Sequence, residues 1–235
     1  ARLSTQDGLL RDQVDSLDAS SAGVIWFGFN GPNGGLTRYD GKTCVNLTTV
    51  DGLPTRYVRD VMVGLDGTLW ITTLMGLAHY DADAFTTLTA RDGLSEARVN
   101  KIIRSRQGGL WFASGYWGTR GGVFYFDGVR VSDLGGQVGI PTKWVYDLCE
   151  DSRGTLWIGT SDVGLWRWDG TNAAAVFTNK FLEVHGVWME KEDTLWVGTG
   201  AGLWHLDGPD NLTQFTEKDG LPGGAVHDIV RGPNG

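Results

Sequence analysis

A tryptophan recurs along this chain at intervals of roughly 39 to 46 residues: Trp26, Trp70, Trp111, Trp157 and Trp196. Each sits in a short apolar phrase, and the five read VIWFGF, TLWITT, GLWFAS, TLWIGT and TLWVGT. Self-similarity at a fixed period constrains a fold more than any local propensity, because each repeat must be one small unit that buries its apolar face against a neighbour. A period near 40 suits the four-stranded blade of a β-propeller.

The other columns agree. Twelve residues before each tryptophan stands a valine (Val14, Val58, Val99, Val145, Val184), and three residues further comes another aliphatic (Leu17, Val61, Ile102, Leu148, Val187). Asp-Gly-Leu punctuates the copies at Asp7, Asp51, Asp92 and Asp219. The repeats run about 14–57, 58–98, 99–144, 145–183 and 184–225, as one domain over 1–235. Residues 1–9 match the end of a repeat and 226–235 begin a sixth, so the strand Val226–Arg231 is the counterpart of Val14–Ala19.

Within a copy, turn residues separate four short segments rich in β-branched and aromatic residues. For the second copy the expected strands are A, Val58–Gly64; B, Leu69–Thr73; C, Leu77–Tyr80; and D, Phe85–Ala90. Strand B is apolar without alternation, as a strand buried on both faces requires. The small residues two places after the tryptophan (Gly28, Thr72, Ala113, Gly159, Gly198) leave room for a neighbouring sheet. The expected fold class is therefore all-β, a propeller of four-stranded antiparallel blades, five of them in this chain.

Bulk properties exclude several functions. A net charge of −8 disfavours nucleic acid and anionic membrane surfaces, which need a basic footprint. No apolar run approaches the length of a membrane-spanning helix. Cys44 and Cys149 lie in different repeat positions, and two free, buried thiols are expected. The pairs Asp40-Gly41, Asp127-Gly128 and Asp169-Gly170 lack the ligand spacing of a calcium loop and read as plain turns. No metal, cofactor or catalytic motif is predicted.

The phrases Gly-Thr-Leu-Trp-Ile-Gly-Thr, Gly-Leu, Phe-Thr and Asp-Gly-Leu-Pro, carried most fully by Leu195–Thr199 and Phe215–Pro222, resemble the two-component regulator propeller repeat. That resemblance spans the whole chain. It implies the sensor region of a bacterial hybrid histidine kinase: a periplasmic or extracellular propeller that binds a ligand, often an oligosaccharide, as part of a larger sensor.

Alternating strand direction brings the D–A and B–C connections to one face of the blades, and there the copies differ most. The B–C loop of the third copy, GYWGTRG, carries Tyr116, Trp117 and Arg120. The D–A connections carry Arg56 and Tyr57, Arg98, Lys143 and Trp144, and His185. Exposed aromatic rings stack on sugar rings, and arginine forks bind carboxylate or sulfate. These nine residues are the expected ligand-binding set of a non-catalytic sensor. A small molecule or oligosaccharide is the expected partner, with another propeller or a second copy of the chain as a protein partner. Two alternatives remain: a protein-interaction or structural scaffold, and a propeller lyase, for which His185 with Asp15 or Asp60 would be candidates. His79 and His205 share a strand-C column with Arg38, Tyr125 and Arg167, on the blade surface.

Overall fold

Among the described residues, twenty strands form where the turn residues and apolar runs place them. A computed structural model describes residues 2–94, 98–115, 121–134, 139–140, 144–177, 183–191, 194–208 and 211–229. Sheet I comprises β1 (Ser16–Ala19), β2 (Ile25–Phe29), β3 (Gly35–Tyr39) and β4 (Cys44–Leu47); sheet II, β5 (Val58–Val63), β6 (Leu69–Thr73), β7 (Gly76–Asp81) and β8 (Ala84–Leu88). Sheet III comprises β9 (Val99–Arg104), β10 (Leu110–Ser114), β11 (Gly122–Phe126) and β12 (Val131–Asp133); sheet IV, β13 (Val145–Glu150), β14 (Leu156–Thr160), β15 (Leu165–Trp168) and β16 (Ala173–Phe177). Sheet V comprises β17 (Val184–Lys191), β18 (Thr194–Thr199), β19 (Gly202–Asp207) and β20 (Leu212–Phe215).

In every sheet the strands lie in sequence order. These are the five four-stranded antiparallel blades expected of a propeller. The chain divides into two compact units, Ala1–Ile102 and Ile103–Gly235.

The second strand of each sheet is the most buried; all five residues of β10 and of β14 are out of solvent. Each repeat tryptophan pairs across to the strand-C column: Trp26 with Arg38, Trp70 with His79, Trp111 with Tyr125, Trp157 with Arg167 and Trp196 with His205. The rings of Trp70 and His79 lie 4.2 Å apart, and those of Trp196 and His205 4.3 Å. His79 and His205 therefore pack on tryptophan and are half-buried rather than at the blade surface as expected.

Consecutive sheets stack through the valine column and the small residue of strand B. A Cβ on Gly28 would lie 2.8 Å from Val58 Cγ1, and one on Gly159 would lie 2.7 Å from Val184 Cγ1. A methyl group at either position would overlap the next sheet, which is why the phrase after tryptophan is so often Gly. Val58, Val61, Val184 and Val187 are buried accordingly. Leu17 holds the same column as Val61 and Val187 yet is 62% exposed.

Polar ties accompany these contacts. Asp18 Oδ2 accepts the Val63 amide at 2.8 Å, Asp60 Oδ2 the Ile102 amide at 3.3 Å, and Asp147 Oδ2 the Val187 amide at 2.6 Å. Glu150 of β13 accepts the Arg106 amide at 2.7 Å, tying sheet IV to the turn between β9 and β10.

The Asp-Gly-Leu connections are not plain turns. Each is a single 3-10 turn (Thr5–Asp7, Thr49–Asp51, Ala90–Asp92, Glu217–Asp219) closed by a capping box between a Ser or Thr and the Asp three residues on. The following Gly has φ between 99° and 102°, so the chain leaves the turn in the left-handed region. Leu9, Leu53 and Leu94 then enter the core.

The other Asp-Gly pairs are turns as expected. Asp40 Oδ1 accepts the Lys42 and Thr43 amides, Asp127 Oδ1 those of Val129 and Arg130, and Asp169 Oδ1 those of Thr171 and Asn172, at 2.7–2.9 Å. Both cysteines are free, but half-buried rather than buried as expected. Cys44 sits on the outermost strand of its sheet, where only one side is covered.

Candidate functional site

The connections between β-strands B and C are pinned where they leave the sheet. Thr73, Thr160 and Thr199 each donate a hydroxyl hydrogen bond across the hairpin, to the carbonyls of Gly76, Gly164 and Gly202, at 2.6–2.8 Å. The start of strand A lies beside the end of strand B. The Ser161 amide donates to the Trp144 carbonyl and the Gly200 amide to the Glu183 carbonyl, both at 3.2 Å. The residues just before and after each strand-A valine therefore stand at the loop end of the sheet.

In the unit Ile103–Gly235 this arrangement builds a row of rings. Trp144 packs on Tyr146 with centroids 5.4 Å apart, Tyr146 on His185 at 5.2 Å, and His185 on His227 at 4.8 Å. Successive planes are tilted by 34°, 37° and 52°. Tyr146, His185 and His227 each lie one residue past the strand-A valine of successive repeats, so the stacking of sheets IV and V and the C-terminal segment aligns them. The first three rings are half-buried and His227 is exposed. His185 Nε2 stands 3.4 Å from Glu183 Oε2. Burial lowers the His185 pKa, the neighbouring His227 lowers it further, and Glu183 opposes both.

In the unit Ala1–Ile102 the corresponding end carries Arg56 and Tyr57, both exposed. Arg56 Nη1 donates to the Pro32 carbonyl at 3.2 Å, and Tyr57 bridges to Asn30, so the connection into sheet II lies against the B–C loop of sheet I. Arg98 is half-buried just before β9.

Of the nine expected site residues, the structure brings together Trp144 and His185 in the ring row, and Arg56 with Tyr57. Tyr116, Trp117, Arg120 and Lys143 lie outside the described residues. The sequence reading leaves out Tyr146, Glu183 and His227 as ligand residues. The signal for two of them is the column after the strand-A valine, which turns aromatic for three repeats in succession.

The carboxylates considered for a lyase have structural partners. Asp15 accepts the Asn30 amide at 2.7 Å, and Asp60 lies 3.5 Å from Lys101 while accepting the Ile102 amide. Among the described residues, no three His, Cys, Asp or Glu side chains converge to hold a metal ion. None of the described helices is long and apolar enough to cross a membrane.

The sequence of this blade-by-blade propeller matches a known repeat family. Residues 139–162 match the family model described as Two component regulator propeller, so the chain carries that repeat. No curated protein matches the sequence.

Among solved structures, the chain is similar to the extracellular domain described as that of a hybrid two component system, BT3049 of B. thetaiotaomicron. The TM-score is 0.77 and the identity 21%, over 91% of this chain and 31% of that one. It is also similar to the extracellular domain of BT4673 from the same organism, described as a one component system, with a TM-score of 0.74 and 18% identity over 96% and 32%. The chain thus spans about a third of the length of these extracellular domains. A third likeness is to virginiamycin B lyase from Staphylococcus aureus, with a TM-score of 0.69 and 15% identity over 92% and 73%. At these identities the likenesses establish the propeller fold.

Proposed function

We propose that this chain is a non-catalytic, ligand-sensing stretch of propeller within a larger periplasmic or extracellular sensor, and that its ligand is an oligosaccharide. The observation that carries this reading is the row Trp144, Tyr146, His185 and His227. Four ring faces in sequence offer a strip on which sugar rings stack, with the half-exposed Glu183 carboxylate and the imidazole edges as hydrogen-bonding groups. Core packing does not require rings in this column, since the same position holds Asp15, Arg59 and Asn100 in the other repeats. The sensor reading draws support from the matched repeat and from the two extracellular sensor domains; the non-catalytic reading, from the structural engagement of Asp15 and Asp60.

A glycan array followed by calorimetry on the protein tests it. The expected result is an oligosaccharide whose affinity falls on Trp144→Ala and on Tyr146→Ala while the melting temperature changes little. Binding that survives both substitutions removes the row as the site. Absence of any saccharide ligand favours a scaffold, and chemical conversion of a bound ligand, read by mass spectrometry, favours a lyase.

A further inference from the structure

The C-terminal segment 222–229 is seated on sheet V in the way β5 is seated on sheet I and β17 on sheet IV. The Val226 amide donates to the Thr199 carbonyl at 2.9 Å. A Cβ on Gly198 would lie 3.0 Å from Val226 Cγ1, and one on Gly186 would lie 3.4 Å from the His227 carbonyl oxygen and the Asp228 Cα. Contacts of this kind seat the segment on sheet V. Another is the face of His227 against His185 at 4.8 Å.

We propose that the His185–His227 pair is a proton-operated clasp that holds segment 222–229 on sheet V near neutral pH and releases it in mild acid. Neutral imidazoles pack ring on ring; two imidazolium ions at this separation repel each other. Among the described residues, the groups that face His185 are Glu183 from the stretch before β17, Tyr146 from β13 and His227 from the segment itself. Glu183, 3.4 Å from His185 Nε2, favours charge on that ring and so opposes burial and His227. Asp228 is turned to its own chain, where Oδ1 accepts the Ile229 amide at 2.8 Å.

The seated form therefore binds fewer protons than the free form. The lowered His185 pKa has the same sign, with burial as its first cause and His227 as its second. Seating is strongest above the free imidazole value of about 6.5 and weakens as the pH falls through it. This inference stands on the seating geometry and is independent of whether the ring row binds a saccharide.

Hydrogen exchange of the Val226 amide, corrected for its intrinsic rate, tests the clasp on the whole chain. Between about pH 7.5 and about pH 5, protection at Val226 is expected to fall roughly tenfold or more, with the amides of β18 unchanged. His227→Gln should abolish that dependence and keep the amide protected at both values. Because this variant can itself unseat the segment, His185→Gln is measured alongside, and either variant holding its protection in acid supports the clasp. Protection in the parent protein that is indifferent to pH overturns it. So does a loss in acid that both variants share in full, since the imidazoles would then have no part in it.

Discussion

The carboxylate of Asp147 accepts the backbone amide of Val187, forty residues further on, at 2.6 Å and out of solvent. Sheet IV thus holds sheet V by a charged hydrogen bond in addition to apolar contact. Removing the carboxylate strands a buried amide, which costs about 1–3 kcal/mol. Asp147→Ala should lower stability by that amount in urea denaturation. Asp18→Ala, whose carboxylate serves the Val63 amide at a half-buried position, should cost less.

Gly159 and Gly198 occupy the same position in their repeats and predict different outcomes for the same change. A methyl group at Gly159 meets Val184, which is part of sheet V, so Gly159→Ala should cost roughly 1–3 kcal/mol of global stability. Val184→Ala in the same molecule should recover part of that loss. At Gly198 the methyl meets Val226, and Gly198→Ala should unseat segment 222–229 while leaving the main unfolding transition nearly in place. Exchange at Val226, beside a thermal melt, separates the two.

This difference bears on how much the sequence makes legible. The tryptophan, valine and small-residue columns were readable because each answers to one local demand repeated five times: a strand buried on both faces. The capped 3-10 turn was not, since Thr-x-x-Asp-Gly-Leu contains ordinary turn residues and its capping box shows only in the geometry. Nor was the ring row. Tyr146 and His185 belong to different repeats and become neighbours only through the stagger of one sheet on the next. No periodicity within a sheet expresses that stagger.

Trp144→Ala should weaken saccharide binding by about 1 kcal/mol or more, the scale of an aromatic contact. A ring that merely covers the end of β13 would instead lower the melting temperature and leave affinity alone. Calorimetry and a melt on the same preparation distinguish them.

The two thiols should react unequally. Burial pushes the Cys149 pKa up to about 11, with Asp147, Asp151 and Glu150 adding to the shift and the Met189 amide opposing it. Cys44, also raised by burial, carries a smaller shift. Near pH 8 a disulfide reagent should modify Cys44 first, and Cys149 chiefly after denaturant is added, because the thiolate is the reacting species. Equal rates in the folded protein would contradict the packing of the half-buried Cys149 against sheet V.

Asp169 is held at about 2, below the ordinary 3.8, first by the Asn172 amide and then by the hydroxyl and amide of Thr171. Its contribution to the turn is fully present above the ordinary value and is lost as pH falls through the depressed one. A carboxyl titration followed by NMR should place its midpoint near the lower figure, and Asn172→Pro, which removes the Asn172 amide, should raise it.

Repeats this alike carry a hazard: any sheet's apolar face could settle on any other's. The carboxylate ties answer it by being unequal. Asp18 stands four residues past its valine and serves an amide five past the next; Asp60 and Asp147 stand two past and serve an amide three past. Sheet III has Lys101 in that place and relies on Glu150 reaching back. With the second and fourth seams alike and the first and third each different, a wrong neighbour at most seams leaves a charge unmatched. The ties therefore act as addresses, sorting near-identical modules into their order as the chain folds.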